Sequence, residues 1–263
     1  MAKRWLSRIL EGLGRITSVL LLLGVWELLG RSGLIEPLIL PAFSQVVGTL
    51  WQTAAEGELT RHLVVSVLRA LTGFVLTGLL AVPLGLLMGW SRRAEEFFDP
   101  LVSVAYPVPK VALIPLFILW LGIGEASKLA VIAVAALFPL AVSTYAGVKA
   151  TRKLAVWSAL SMGATSGEIL RKVVFPHALP QIFTGLRLSM AICWILLFSA
   201  EMVAGGSGLG YLMVQAENDL KTDLVMAGLI VIAVLGLTCD RLIRVAGARA
   251  CRWYFAMGLG KVS

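Results

Sequence analysis

Three cations, Arg69, Lys110 and Arg187, stand inside apolar runs, and two carboxylates, Glu27 and Glu201, stand near the ends of such runs. Two kinds of chemistry are open to a cation in that setting. Its charge can attract an anionic solute, or its long stem can carry the charged head out to an aqueous interface. Lys110 has Pro107, Pro109 and Pro115 around it, and both readings stay open there, as they do for Arg69 and Arg187. Glu27 reads as a carboxylate reaching the interface. The run GGSGLG, Gly205 to Gly210, looks like a phosphate cradle, but no lysine followed by serine or threonine completes a Walker A arrangement, so it is read as a flexible turn. Cys193, Cys239 and Cys251 are far apart with no C-x-x-C pair and are read as structural thiols. His62 and His177 belong to no cluster, so no metal site is expected. No nucleophile elbow, triad or nucleotide loop is present, which argues against an enzyme. No cofactor is expected on this chain.

The longest polar island in the second half of the chain is Lys149 to Pro180, KATRKLAVWSALSMGATSGEILRKVVFPHALP. Leu154 to Met162 reads as a short helix stopped by Gly163, since glycine accepts the left-handed turn that ends helices. Thr165 and Glu168 have the spacing of a capping box, which starts a second helix. In that helix Ile169, Leu170, Val173 and Val174 share one face and Arg171 and Lys172 another. Pro176 and Pro180 are expected to stop it. The expected shape is helix, glycine joint, helix, with an apolar stripe and a basic rim.

The elements that hold this island are apolar. Hydrophobic residues make up 59% of the chain and charged residues 14%, against about a quarter charged in soluble domains. Such a chain cannot present a water-compatible surface, so the fold class is all-α, a polytopic helical membrane protein in a single domain. Six spans are expected, about 9–30, 63–90, 101–121, 128–148, 182–204 and 223–244, with the loop 149–180 outside the lipid. The basic head and apolar body of the first run would also suit a signal peptide, but no small-x-small cleavage site follows, so a retained span is expected. The prolines of 101–121 free backbone carbonyls that membrane depth tolerates only against protein or a watery cavity, so Pro107, Pro109, Pro115 and Lys110 are candidates for lining a route. Gly85 and Gly89 form a G-x-x-x-G pair that admits a close neighbour helix, and Pro83 is expected to kink the same span.

The net charge is +8. With the N-terminus inside, the basic residues crowd the loops on the cytoplasmic side, among them Arg92, Arg93, Lys149, Arg152, Lys153, Arg171, Lys172 and Arg241. Only Arg31, Arg61, Lys128 and Lys221 fall outside. That is the positive-inside asymmetry, so the charge orients the protein and does not indicate a nucleic acid, for which a basic groove-reading surface is missing. Both termini are expected in the cytoplasm.

The island resembles the cytoplasmic loop of inner-membrane permease subunits of binding-protein-dependent ABC importers, whose pattern is E-A-A-x3-G-x9-I-x-L-P. Ala159 matches the second alanine, Gly163 the glycine, Val173 the isoleucine, Phe175 the leucine loosely, and Pro176 the proline. Trp157 stands where the family has glutamate and Ser158 where it has the first alanine. The segments Val108 to Lys128, Phe138 to Lys149 and Ala200 to Met213 resemble the subgroup for aliphatic sulfonates, taurine or nitrate.

The resemblance implies a permease in a bacterial inner membrane, in contact with lipid, and two copies forming a route between them. It implies two cytoplasmic ATPase subunits that bind the ATP, and a periplasmic binding protein that delivers a small, anionic solute. It assigns ATPase coupling to Ala159, Gly163, Thr165, Glu168, Ile169, Leu170, Val173, Val174 and Pro176, with the stripe Ile169 to Val174 docking into a groove of the partner. An ion-coupled secondary transporter, or a permease for an unrelated small solute, is the alternative. A secondary transporter more often shows inverted repeats and midplane carboxylates.

Overall fold

A computed structural model describes residues 2–253 of the chain, with side chains from residue 17 onward. The fold is helical throughout, with no strand among the described residues. In chain order the helices are α1 (Ala2–Arg31), α2 (Phe43–Ala55), α3 (Glu58–Trp90), α4 (Arg92–Ala105), α5 (Ile114–Leu121), α6 (Glu125–Lys149), α7 (Lys153–Ser161), α8 (Ser166–Ile169), α9 (Phe175–Ala204), α10 (Leu209–Asn218) and α11 (Thr222–Ala250). A 3-10 turn at Lys110–Leu113 precedes α5, and a π-helical turn at Leu170–Val174 joins α8 to α9.

Four helical segments among the described residues are long and apolar enough to cross a membrane: Glu58–Trp90, Glu125–Lys149, Ser166–Ala204 and Thr222–Ala250. A fifth is available if α4 and the Lys110–Leu121 segment count as one, but these are bent by 90° at their break. The stretch 101–121 is therefore not the single interrupted span that its hydropathy suggests. The reason lies in Pro107 and Pro109, which disfavour helix for the residues before them and leave 106–109 extended or turned. Pro115 breaks nothing, because it occupies the first turn of α5, where its missing N–H has no intrahelical partner to lose. The expected span 9–30 falls within α1, whose side chains are described only from residue 17.

The chain divides into two compact units. The first comprises Met1–His62 and Leu212–Val231. Here Trp26 Nε1 donates to the Pro41 carbonyl at 3.0 Å and its ring lies 5.3 Å from Phe43, which ties α1 to α2. Glu27 does not simply reach for water: its carboxylate accepts from the backbone N–H of Ser44 at 2.9 Å and from the Ser44 hydroxyl at 2.8 Å, satisfying one N-terminal amide of α2.

The second unit comprises Leu63–Tyr211 and Ile232–Ser263. Its axis is the α6–α9 pair, brought close by small residues. A Cβ built on Gly185 would lie 2.6 Å from Ser143 Cβ, and one on Gly147 would lie 2.9 Å from Gln181 Cβ. α6 is also the helix that the Gly85/Gly89 pair admits. A Cβ on Gly85 would meet Thr144 Cβ at 2.6 Å, and one on Gly89 would meet Val148 Cγ1 at 2.6 Å. Without water to drive association, such close backbone approach is where membrane helices gain dispersion energy. Two buried apolar clusters result. One gathers Ala70, Ile114, Ile132, Met190, Trp194 and Leu197, and the other gathers Ala81, Leu140, Ala141, Val148, Ala178 and Ile182 with residues of the loop 149–180.

Candidate functional site

The loop begins with α7, nine residues long, preceded by Thr151 and Arg152. Its end has the geometry that a left-handed glycine permits. Gly163 has φ +82°, the Ala164 N–H donates to the Ala159 carbonyl at 3.1 Å, and the Gly163 N–H donates to the Leu160 carbonyl at 2.9 Å. This is the Schellman pair of hydrogen bonds. Thr165 then caps α8: its hydroxyl accepts from the Glu168 N–H at 3.3 Å, while Glu168 Oε2 accepts from the Thr165 N–H at 3.1 Å. Lys172 pairs with Glu168 Oε1 at 3.0 Å. Held first by the Thr165 amide and then by Lys172, the Glu168 carboxyl is pulled down from its ordinary range to about 2. Glu168 stands in the first turn of the segment that continues to Ala204. The helical segment Ser166–Ala204 has 39 residues, roughly 58 Å of length against a hydrocarbon core of roughly 30 Å.

Pro176 and Pro180 do not stop this helix, as their type had suggested. α9 runs from Phe175 through both to Ala204. The π-helical turn at Leu170–Val174 lies immediately before Pro176, where the pyrrolidine ring would collide with the carbonyl four residues back in a regular α-helix. The wider turn removes that conflict, so loop and membrane helix become one continuous rod.

The apolar stripe also faces another way than expected. Ile169 and Val174 are each 1% exposed and Ala159 is 7% exposed, packed with Ala81 of α3, Leu140, Ala141 and Val148 of α6, and Ala178 and Ile182 of α9. Leu170 and Val173 lie partly buried against the same cluster. These residues join the loop to the chain's own helices. The apolar residues left uncovered are Leu154, Trp157, Leu160 and Met162, which are 72%, 62%, 51% and 81% exposed. Leu154, Trp157 and Leu160 follow the three-residue spacing that sets side chains on one face of α7, and Met162 is the residue at its C-terminal cap. Periodicity detects both stripes but cannot say which of two apolar faces the rest of the chain covers.

Around the proline-rich bend, Lys110 is tied to backbone carbonyls. Its Nζ donates to the carbonyls of Ala105 at 2.7 Å and Tyr106 at 2.5 Å, satisfying the C-terminal end of α4, and it lies 5.3 Å from the ring centre of Phe138. Pro109 precedes the 3-10 turn. Arg187 is paired with Asp240 at 2.7 Å, and Asp240 also holds Arg244 at 2.8 Å, linking α9 to α11.

The polar cluster that sequence reasoning missed is buried. Arg69 of α3, 5% exposed, donates Nη1 to Glu201 at 2.9 Å and to the Ser207 carbonyl at 2.7 Å, and it forms a forked pair with Glu125 at the start of α6. Glu201, 1% exposed, also accepts from the Ser66 hydroxyl at 2.8 Å and from the Gly210 N–H at 3.1 Å. Lys128, 3% exposed, donates to the Gly205 carbonyl at 3.1 Å. The Gly205–Gly210 run is thus a fitted partner of these charges: Gly205, Gly206 and Gly208 have positive φ, and a Cβ on Gly208 would overlap the Glu201 carboxylate. A signal was present, because Ser66 with Arg69 and Glu125 with Lys128 each have the i, i+3 spacing of one helix face. What pairs them with Glu201 is proximity between distant segments.

No group of metal-ligating side chains is found among the described residues. The arrangement as a whole has rigid apolar spans, one internally neutralised charge cluster, and a mechanically continuous loop with an uncovered apolar face.

Comparison with known proteins gives a consistent result. Residues 81–250 match the family described as binding-protein-dependent transport system inner membrane component. The chain is 34% identical over 232 residues to a putative aliphatic sulfonates transport permease protein of Bacillus subtilis (strain 168), covering 88% of this chain and 84% of that one. It is 35% identical over 244 residues to the taurine transport system permease protein of Escherichia coli (strain K12), covering 91% and 89%. Among solved structures, an amino acid ABC transporter aligns with a TM-score of 0.59 at 18% identity over 72% of this chain and 92% of that one. An inward-facing methionine ABC transporter aligns with a TM-score of 0.55 at 18% identity over 68% and 92%.

Proposed function

This chain belongs to the family of binding-protein-dependent transport system inner membrane components, a transport component and not an enzyme, and on that premise we propose how it works and what it carries. It pairs with a second copy to form a route for a small anionic solute of the sulfonate or taurine type, with nitrate as a further member of that class. The named relatives support this substrate class, carrying aliphatic sulfonates or taurine in their own descriptions. Two ATPase subunits on the cytoplasmic side supply the energy, and a periplasmic binding protein delivers the solute. The basic residues of 149–180 and of the 91–93 turn support a cytoplasmic loop and cytoplasmic termini.

The observation that carries the mechanism is the split between the loop's two apolar faces. Leu154, Trp157, Leu160 and Met162 are uncovered, whereas Ala159, Ile169 and Val174 are locked against α3, α6 and α9. An ATPase groove takes the uncovered face as a helix-in-groove contact. Movement of that face then passes through the buried residues to α6, and along the continuous helix Ser166–Ala204 to the membrane, because packed interfaces shift between discrete arrangements instead of deforming. Ala159, Gly163, Thr165, Glu168, Leu170, Val173 and Pro176 hold that linkage in shape.

Cysteine cross-linking tests this. With the ATPase encoded by a neighbouring gene co-expressed, Leu160→Cys and Met162→Cys are expected to cross-link to it, and Ile169→Cys is not. Efficient capture from Ile169→Cys with none from the other two would overturn the assignment of faces. Accumulation of taurine by the reconstituted chain alone would overturn the coupling to an ATPase.

A further inference from the structure

Of the three cations that stand inside apolar runs, two are neutralised within the chain. Arg69 is paired with Glu125 and Glu201, and Arg187 with Asp240. Lys110 has no carboxylate within ion-pair distance among the described residues. Its ammonium carries three N–H donors, and two of them go to the carbonyls of Ala105 and Tyr106. Those acceptors carry only partial charge, so the full positive charge stays uncompensated. Depth makes this costly. The ammonium lies over the ring of Phe138, and Phe138 stands near the middle of α6, a 25-residue helix long and apolar enough to span the membrane, roughly 17 to 20 Å from either end. A charge at that depth faces protein or water and not lipid. The chain itself does not cover it. Lys110 is partly exposed, and Tyr106, Val108 and Val111 around it are 49%, 40% and 48% exposed, where the 90° break between α4 and the Lys110–Leu121 segment interrupts the helix.

We propose that Lys110 is a solute contact midway along the transport route, where an anion in transit supplies the counter-charge that the chain itself lacks. The remaining ammonium N–H donates to the anion's oxygens, while the rings of Tyr106 and Phe138, 5.8 and 5.3 Å from Nζ, keep the cation in place. The site takes a small anion with accessible oxygens, a sulfonate or carboxylate, and repels cations by like charge. One free donor holds such a solute loosely, and a solute in transit must leave as well as enter. The role in transport rests on the proposed function, whereas a water-exposed positive bend in the membrane does not.

The test reads water access and local charge first, and transport second. Cys239→Ser removes the one cysteine that is not buried, and Val108→Cys sets a thiol close to Lys110 in the chain. The full chain in liposomes is treated with two methanethiosulfonates of similar size, the anionic sulfonatoethyl and the cationic trimethylammonioethyl reagent. Each transfers its thioalkyl group to the cysteine thiolate, forming a disulfide and releasing methanesulfinate. Both are expected to react. Lys110→Gln is expected to lower the anionic-to-cationic rate ratio, normalised to free cysteine, at least about tenfold, and Lys110→Arg to preserve it. Glutamine keeps a donor for the Ala105 and Tyr106 carbonyls, so a purely structural lysine would leave the ratio unmoved. No reaction with either reagent, or a ratio unchanged by Lys110→Gln, would overturn the proposal. In proteoliposomes that also hold the ATPase and binding protein of the neighbouring genes, ATP-driven uptake of ethanesulfonate is expected to fall at least about tenfold in Lys110→Gln and to persist in Lys110→Arg. Full uptake by Lys110→Gln would overturn the proposal as well. No uptake even by the unaltered chain, with the labelling ratio as expected, would overturn the solute class proposed above and still support the anion site.

Discussion

At Gly163 the backbone has φ +82° and an added Cβ would meet nothing within 4 Å. Any effect of substitution there is conformational and not steric. Gly163→Ala is expected to cost about 1–2 kcal/mol at the joint, and Gly163→Asn less, because asparagine accepts the left-handed region more readily. Gly163→Asp is expected to leave the protein in the membrane but uncouple transport. Uptake assays across Gly, Asn and Ala should rank in that order, and a flat series would show that the joint carries no motion. Glu168 provides a pH dependence with a defined sign. Its carboxyl is depressed to about 2, so its contribution to the loop is complete above the ordinary carboxylate range and disappears as pH falls from about 4.5 toward 2. Thr165→Ala removes part of the cause, and carbon NMR of a labelled Glu168 should then show its titration moved upward. Glu201 belongs to a different class, being buried in contact with Arg69, Ser66 and the Gly210 amide. Glu201→Gln leaves Arg69 short of a buried counter-charge and is expected to destabilise the protein by about 3–5 kcal/mol, read as a large fall in Tm. Glu125→Gln is expected to cost much less, because the Glu125 side chain is 61% exposed and water can replace it.

Among the elements, α6 is the one against which the others are set, and glycine decides how closely. Gly85→Val is expected to force α3 away from α6, since even a methyl group there meets Thr144 within 2.6 Å. Gly78→Val, on the same helix with nothing within 4 Å, serves as the control. Comparing yield and Tm of the two in detergent tests whether α3–α6 contact is a packing interface, and equal behaviour would show that it is not. The sequence signalled the glycine pair through its four-residue spacing. It could not signal that Pro176 lies within a continuous helix, because whether a proline ends a helix depends on whether the preceding turn can widen, as it does at Leu170–Val174, and Pro180 is carried inside the same helix. The 90° bend after α4 is the opposite case: Pro107 and Pro109, two residues apart, break a stretch that hydropathy assigned to one span.

For the molecule as a whole, orientation is testable without transport. Single cysteines at Arg152 and at Gly206 are expected to react with a membrane-impermeant thiol reagent from opposite sides of intact cells, the first only after permeabilisation. Labelling of both from one side would refute the topology. Several properties follow from the amino-acid sequence by itself. Low charge content and long apolar runs require a helical membrane protein, since only helices satisfy their own backbone in lipid without closing into a barrel. The Gly163 turn and the Thr165–Glu168 cap are equally legible, because both are satisfied by neighbours within a few residues. Tertiary structure alone decided which apolar stripe of the loop is covered, that Lys110 holds the end of α4, and that Arg69 meets Glu201 across 132 residues of chain. Hydrophobicity and charge are properties of a residue type, whereas coverage and pairing depend on which distant segments the packed helices bring within contact distance.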